Sequence, residues 1–169
     1  PRERKMAKAR VRLPRRSPPS WPAKWLMRPK SILIHTRPSN RRSIQRLVVT
    51  DEELARQTFL TMAQVFDEGF AALSSPYLEG LLSRRDFWAL AALAGQEVVG
   101  GITAFTLSLT RLERRELFIY DIAVKADWQR KGIGRALVDA LRVAAAAGGI
   151  AEGFVLADNE DTHALDFYR

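Results

Sequence analysis

The chain has 169 residues, with 27 Lys+Arg against 19 Asp+Glu for a formal net charge of +8, and 47 % of it is apolar. That balance suits one folded domain and excludes a wholly disordered chain. The absence of cysteine excludes a disulfide scaffold and a cysteine zinc site, two lone histidines offer no other metal-ligand pattern, and no apolar run reaches the length of a membrane-spanning helix.

The net charge hides two opposite halves. Residues 1–46 hold fifteen Lys/Arg and one acid, Glu3, for a net +14, whereas residues 47–169 hold twelve bases and eighteen acids, for a net −6. Seven of the eight prolines fall at or before Pro38, and proline locks φ and removes a hydrogen-bond donor. Residues 1–42 therefore read as a basic, proline-rich, disordered arm, and residues 43–169 as the folded domain. The arm is most simply a solvated leader. A nucleic-acid or anionic-surface tether with Trp21 and Trp25 as stacking groups, an organelle-targeting peptide, and a reading frame that truly starts at Met27 are its other readings.

In chain order, Ser43–Val49 has the apolar content of a first strand, through Ile44, Leu47, Val48 and Val49. Thr50-Asp51-Glu52-Glu53 has the form of a capping box. The helix it opens sets Leu54, Phe59, Met62, Val65, Phe66 and Phe70 near one face. A second short helix follows Pro76 through Tyr77, Leu78, Leu81 and Leu82. Phe87–Ala94, Gly95-Gln96 and Val98–Leu109 read as a hairpin of two long strands. Leu117–Val124 is a fourth strand after the charged turn Arg111–Glu116. Gly134–Ala147 is an amphipathic helix ended by Gly148-Gly149. Gly153–Ala157 is a fifth strand, and Thr162–Arg169 begins another helix. Strand, helix and strand over Leu117–Ala157 imply a right-handed crossover between parallel strands. The fold class is therefore α/β (α+β) with a mixed sheet.

The strongest chemical signal is Gln129-Arg130-Lys131-Gly132-Ile133-Gly134, between the fourth strand and the amphipathic helix. Its two glycines let backbone N–H groups approach a ligand closely, and a helix N-terminus favours phosphate. Arg130, Lys131 and Arg135 add positive charge. The spacing is not that of a Walker loop, and Leu137 stands where a dinucleotide fingerprint needs its third glycine. On its own the segment also reads as a plain glycine turn.

In its context, strand, glycine loop and alanine-rich helix, this segment resembles the acyl-CoA pyrophosphate loop (Gln/Arg-x-x-Gly-x-Gly/Ala) of the GNAT acetyltransferase superfamily. Phe118-Ile119-Tyr120-Asp121-Ile122-Ala123-Val124 is similar to the signature strand of type I aminoglycoside (gentamicin) 3-N-acetyltransferases. Val155, Ala157-Asp158, Asp161, Ala164 and Tyr168 are similar to that family's following segment. Leu81-Leu82, Phe87 with Ala89-Leu90-Ala91-Ala92, and Val98-Val99-Gly100 match its hairpin region. The likeness covers Tyr77–Arg169 well and the first helix loosely, and it does not take in the arm.

The resemblance implies a GNAT-type mixed central sheet flanked by helices. It implies acetyl transfer from acetyl-CoA, with no metal, to a primary amine of a cationic small molecule, foremost the 3-amino group of an aminoglycoside, an antibiotic-resistance activity. A polyamine or other small amine is the alternative acceptor, and an acyl-CoA-binding remnant without turnover is the alternative from another class. By the same likeness Asp121 is the base that takes the amine proton, and Tyr168 the acid that protonates the departing thiolate. Without it, Asp121 reads as an exposed or ion-paired carboxylate, and Tyr168 as a packed aromatic ring. Backbone groups of Ile122, Ala123 and Val124 hold the pantetheine arm, and Gln129, Arg130, Lys131, Gly132, Ile133, Gly134 and Arg135 hold the diphosphate. Tyr120, Asp121, Asp158, Glu160 and Asp161 face the substrate, whose ammonium groups the acidic domain attracts. A cytoplasmic location away from membranes, a homodimer, and nucleic acid on the arm as a minor alternative complete the expectations.

The family's pattern normally continues past the tyrosine to further strands, whereas this chain stops at Arg169. The expectation is thus a domain incomplete at its C-terminus, with its final strands missing. Its fifth strand would then carry an unprotected edge unless a partner covers it.

Overall fold

The computed structural model describes residues 6–12, 32–34, 42–69 and 71–158. They form a seven-stranded sheet in the order β1-β7-β6-β5-β4-β3-β2, made of β1 (Met6–Arg12), β2 (Ile32–Ile34), β3 (Arg42–Arg46), β4 (Phe87–Ala94), β5 (Glu97–Ser108), β6 (Arg115–Val124) and β7 (Glu152–Asp158). Every neighbouring pair is antiparallel except β6 and β7. Parallel neighbours need a long crossover, and the helix α3 (Ile133–Ala147) supplies it. The mixed α/β class is as expected.

The hairpin, the fourth and fifth strands and the amphipathic helix fall within two residues of their expected bounds. Gly95 takes φ 64° at the hairpin turn, a conformation that glycine adopts without a Cβ clash. The first strand is shorter than expected, because Val48 and Val49 leave the sheet and are exposed. The Thr50 capping box does not form. A 3-10 turn over Val49–Asp51 absorbs that threonine, and the Asp51 carboxylate accepts the Val48 N–H at 3.1 Å.

Helix α1 (Glu52–Val65) buries Ala55, Thr58, Thr61 and Met62, while Phe66 lies exposed just beyond it. The small face wins because α1 lies close on Gly101 of β5. A Cβ on Gly101 would stand 2.6 Å from Thr58 Cγ2 and 2.8 Å from Met62 Sδ. Phe70 is outside the described residues. Helix α2 (Ser75–Leu82) is the expected short helix, with Pro76 in its first turn and not ahead of it, and it buries Leu78.

The core lies on both faces of the sheet. Leu137, Leu141 and Ala145 of α3 pack on Val99, Ile102, Leu117 and Ile119 on one side. On the other, Leu47, Ala55, Phe87, Ala89 and Ala91 form a smaller cluster with Leu54 and Phe59. A truncation such as Leu141→Ala removes transfer energy and leaves a cavity, for a cost of about 2–5 kcal/mol.

Two stretches of the basic arm depart from the expectation of an arm outside the fold. Strand β2 pairs with β3, and β1 pairs with β7 along its whole length, from Met6 opposite Asp158 to Arg12 opposite Glu152. The β7 edge expected to lie bare is therefore covered. The physical reason is visible in Met-Ala-Lys-Ala-Arg-Val-Arg, which contains no proline and alternates basic with small or apolar residues at the period of a strand. Among the described residues no helix is long and apolar enough to cross a membrane.

Candidate functional site

The site begins where the sheet opens. Strand β6 pairs with β7 only from Glu116 to Ile119, while on its other side it stays paired with β5 as far as Val124. Gly153 permits the close end of this fork, since a Cβ there would stand 3.1 Å from the Leu117 carbonyl oxygen. Beyond Ile119 the β6–β7 ladder ends, and among the described residues the edge of β6 that faces β7 is left without a ladder.

Not every residue of that stretch offers its backbone to the gap. The Ala123 carbonyl lies against Gly100, where a Cβ would come within 2.5 Å of it, and the Lys125 N–H donates to the Val99 carbonyl at 2.9 Å. Because backbone groups alternate sides along a strand, Ile122 and Val124 present theirs to the opening while Ala123 faces β5. Of the three residues expected to line the gap with backbone groups, the structure brings two to it. The Val124 carbonyl already accepts a hydrogen bond from Gln129 Nε2 at 3.0 Å.

A bulge aims the side chains. Asp121 stands opposite Thr103 and Ile119 opposite Ala104, which leaves Tyr120 as an extra residue in β6. Leu117 and Ile119 before the bulge, and Ile122 and Val124 after it, all pack toward α3. An unbulged strand would alternate them, so the extra residue resets the pattern and sends Asp121 to the α1 face. Tyr120 is 60 % exposed there, set edge-to-face against Phe105 at 5.8 Å and Phe118 at 5.9 Å.

Asp121 is half-buried and makes no hydrogen bond or ion pair among the described residues. Burial, and then the like charge of Glu68 in the segment after α1, push its carboxyl above the usual carboxylate range. A carboxylate in this setting gains basicity and attracts a cation.

At the mouth of the gap, a 3-10 turn over Ala126–Trp128 leads through Gln129–Lys131 to Gly132, which caps α3 with φ 80°. No side chain caps that helix end, so its first N–H groups are free for an anion. A Cβ built on Gly132 meets nothing within 4 Å, which is the open cradle that a close-approaching ligand requires. Arg130 adopts φ 58°, unusual for a residue with a side chain. Lys131 Nζ sits 5.0 Å from the Trp128 ring centroid, and Arg135 is 86 % exposed, 3.9 Å from Asp139.

Arg42, assigned to the arm by composition, belongs to this site. It opens β3 and donates from Nη1 to the Lys131 carbonyl at 2.9 Å, with its guanidinium 5.7 Å from the Trp128 ring centroid. No sequence signal distinguished it from its basic neighbours. Glu68 and Thr103 are further residues that motif reading passed over, because their relation to Asp121 exists in the fold alone. Asp158 ends β7, while Glu160, Asp161 and Tyr168 lie outside the described residues. The arrangement suits a ligand with an anionic head on the α3 N-terminus and an extended chain beside β6, delivered next to a carboxylate that has no partner among the described residues.

Comparison with known proteins agrees with that geometry. The acetyltransferase (GNAT) family model matches residues 52–169. An aminoglycoside acetyltransferase from an uncultured soil metagenomic sample, solved in complex with trehalose, is 36 % identical over 76 % of this chain and 85 % of its own, with a TM-score of 0.71. A second soil metagenomic aminoglycoside acetyltransferase is 34 % identical over 75 % of this chain and 88 % of its own, also at 0.71. Aminoglycoside N-acetyltransferase AAC(6')-Iy in complex with CoA shares the fold at 15 % identity, over 79 % of this chain and 88 % of its own, with a TM-score of 0.64. No curated protein matches the chain.

Proposed function

The chain belongs to the GNAT acetyltransferase family and is an N-acetyltransferase, and from that premise we propose that it moves the acetyl group of acetyl-CoA to the 3-amino group of an aminoglycoside. The observation that carries the reading is the juxtaposition of Asp121, half-buried and without a partner among the described residues, with the forked edge of β6 and the uncapped N-terminus of α3. The aminoglycoside class is supported by two soil enzymes of that description at 34 % and 36 % identity. The net −6 of residues 47–169 draws the same polycations toward the domain.

In this reading the free N–H groups of α3 and the charges of Arg130, Lys131 and Arg135 bind the diphosphate of acetyl-CoA. The backbone of Ile122 and Val124 orients the pantetheine chain along the open edge of β6. Bound acetyl-CoA supplies the activated acyl group. Asp121 pairs with the incoming ammonium and takes its proton at a carboxylate oxygen, leaving a neutral amine to attack. Tyr120 flanks the acceptor with its exposed ring. Tyr168 donates a proton to the thiolate, a role it takes from the family resemblance alone. Backbone donors and a fixed carboxylate require little reorganisation during the reaction, and for that reason such sites are effective.

The test is release of CoA thiol, followed spectrophotometrically, with gentamicin, spermidine and simple primary amines as acceptors. Transfer to gentamicin, with NMR of the product placing the acetyl group on the 3-amino nitrogen, is the expected result. Acetylation of spermidine and of no aminoglycoside would overturn the acceptor assignment. CoA binding without any turnover would overturn the catalytic one.

A further inference from the structure

Thr103 lies in the middle of β5, is 8 % exposed, and has a buried hydroxyl with no hydrogen-bond partner. Buried hydroxyls are nearly always satisfied, and an orphan one calls for an explanation. Its cross-strand partner is Asp121, the carboxylate that likewise has no partner among the described residues. Directly opposed residues of an antiparallel pair point to the same face with Cβ atoms about 5 Å apart, so a side-chain rotation brings the hydroxyl to the carboxylate. Thr58, buried on the same face, is already committed to the Leu54 carbonyl at 2.7 Å.

We propose that Thr103 is a positioning residue for Asp121, its hydroxyl donating the hydrogen bond that holds the ionised carboxylate in line with the acceptor amine. The inference rests on the transferase reading above and extends it to a residue that touches neither substrate. The groups that face Asp121 define its electrostatics simply. β5 supplies the Thr103 hydroxyl, α1 brings the neutral Thr58 and Met62 against the adjacent Gly101, β6 supplies Tyr120, and Glu68 is the charge that bears on it. With a like charge nearby and no cation against it among the described residues, a neutral donor is what steadies the ionised form. A hydrogen bond to the charged state favours that state, so Thr103 opposes the upward pull of burial and Glu68. The hydroxyl swings onto the carboxylate as the proton leaves it, and the pair is idle while Asp121 is neutral.

The experiment compares wild type, Thr103→Val and Thr103→Ser. Two readouts are taken: the pH titration of the Asp121 carboxyl carbon by NMR, identified as the resonance lost in Asp121→Asn, and the pH profile of kcat/KM with gentamicin. The valine variant keeps the shape and removes the donor. It is expected to raise the Asp121 titration and the acidic limb of the rate profile by about one pH unit. Its kcat should fall about tenfold with the KM for acetyl-CoA unchanged, and serine should restore both. Unchanged titration in Thr103→Val overturns the proposal, as does a shift that Thr103→Ser shares, which would assign the effect to the methyl group and packing. The NMR arm needs no turnover, so it separates the two readings. A wild-type protein that acetylates no amine defeats the transferase assignment, whereas normal transfer with an unmoved titration defeats the role of Thr103 alone.

Discussion

Gln129 turns its side-chain amide back onto the Val124 carbonyl, 3.0 Å away, so the loop that opens α3 is tied to the last residue of the forked strand. The sequence pattern assigns Gln129 to the cofactor, yet its amide already has a protein partner. Its task in the structure is to fix the distance between the helix N-terminus and the free edge of β6. Gln129→Ala should therefore leave the fold intact while loosening the cradle. A neutral hydrogen bond of this kind is worth about 1 kcal/mol, so calorimetry should find CoA binding weakened about fivefold, with a melting temperature close to that of wild type. Unchanged affinity would mean that the loop holds its shape without the tie.

Asp121→Asn separates chemistry from stability. In the proposed reading Asp121 is the general base, whose removal costs about 10²–10⁴-fold in turnover, and CoA affinity should not change because the proposed diphosphate cradle lies at the N-terminus of α3. The stability change has the opposite sign. Burial and Glu68 raise the folded-state pKa of Asp121, so the unfolded chain ionises first. Stability is then lost as pH rises from the ordinary carboxylate range through the folded pKa. At neutral pH the asparagine variant should melt higher than wild type, and the difference should vanish in acid where both side chains are neutral. Thermal melts at pH 3 and pH 7 check this. A variant that melts lower at neutral pH would show that hydrogen bonding to the ionised carboxylate outweighs burial and Glu68 in the native protein.

The glycines of the site should behave in two distinct ways. A Cβ at Gly100 would press within 2.5 Å of the Ala123 carbonyl oxygen, a backbone atom that cannot turn aside. Gly100→Ala should therefore strain the β5–β6 ladder and cost about 1–3 kcal/mol in urea denaturation. At Gly132 there is open space but a φ of 80°. Gly132→Val should cost about 1–2 kcal/mol through the left-handed backbone and also fill the cradle, so that CoA binding falls at least tenfold. Equal CoA affinity in Gly132→Val would contradict the assignment of the loop.

How much of this was readable beforehand depends on whether a feature is local. The hairpin about Gly95, the glycine loop and α3 announce themselves by turn chemistry and by periods of two and 3.6 residues, and each lies where expected. Asp121 stands out in the sequence because a carboxylate is out of place within an apolar strand. The bulge at Tyr120 could not be read, because register belongs to two strands and neither sequence alone states it. The same holds for Arg42, whose partner is 89 residues away, and for Glu68. The buried face of helix α1 is not legible in its own sequence, because Phe66 outweighs Thr58 in hydrophobicity, whereas Gly101 of β5 takes small side chains against it. The strand of the arm is hidden because net charge and proline count average over a segment and conceal a proline-free run of seven residues.

Arg130 combines a charge suited to a diphosphate with a backbone conformation that opposes it. Its φ of 58° lies in the left-handed region, which costs a residue with a Cβ about 1–2 kcal/mol. Glycine at that position would escape the clash but add about 0.5–1 kcal/mol of chain entropy to the unfolded state. The backbone term is the larger, so Arg130→Gly should stabilise the fold by up to about 1 kcal/mol, seen as a higher urea midpoint at constant m-value. Function should move the other way. Arg130 is exposed, so its attraction for an anion is screened by salt. The glycine variant should bind CoA more weakly at low ionic strength, and its affinity should depend less steeply on salt than that of wild type. A chain that gains stability and keeps both its CoA affinity and its salt dependence would show that the left-handed arginine serves the turn and not the ligand.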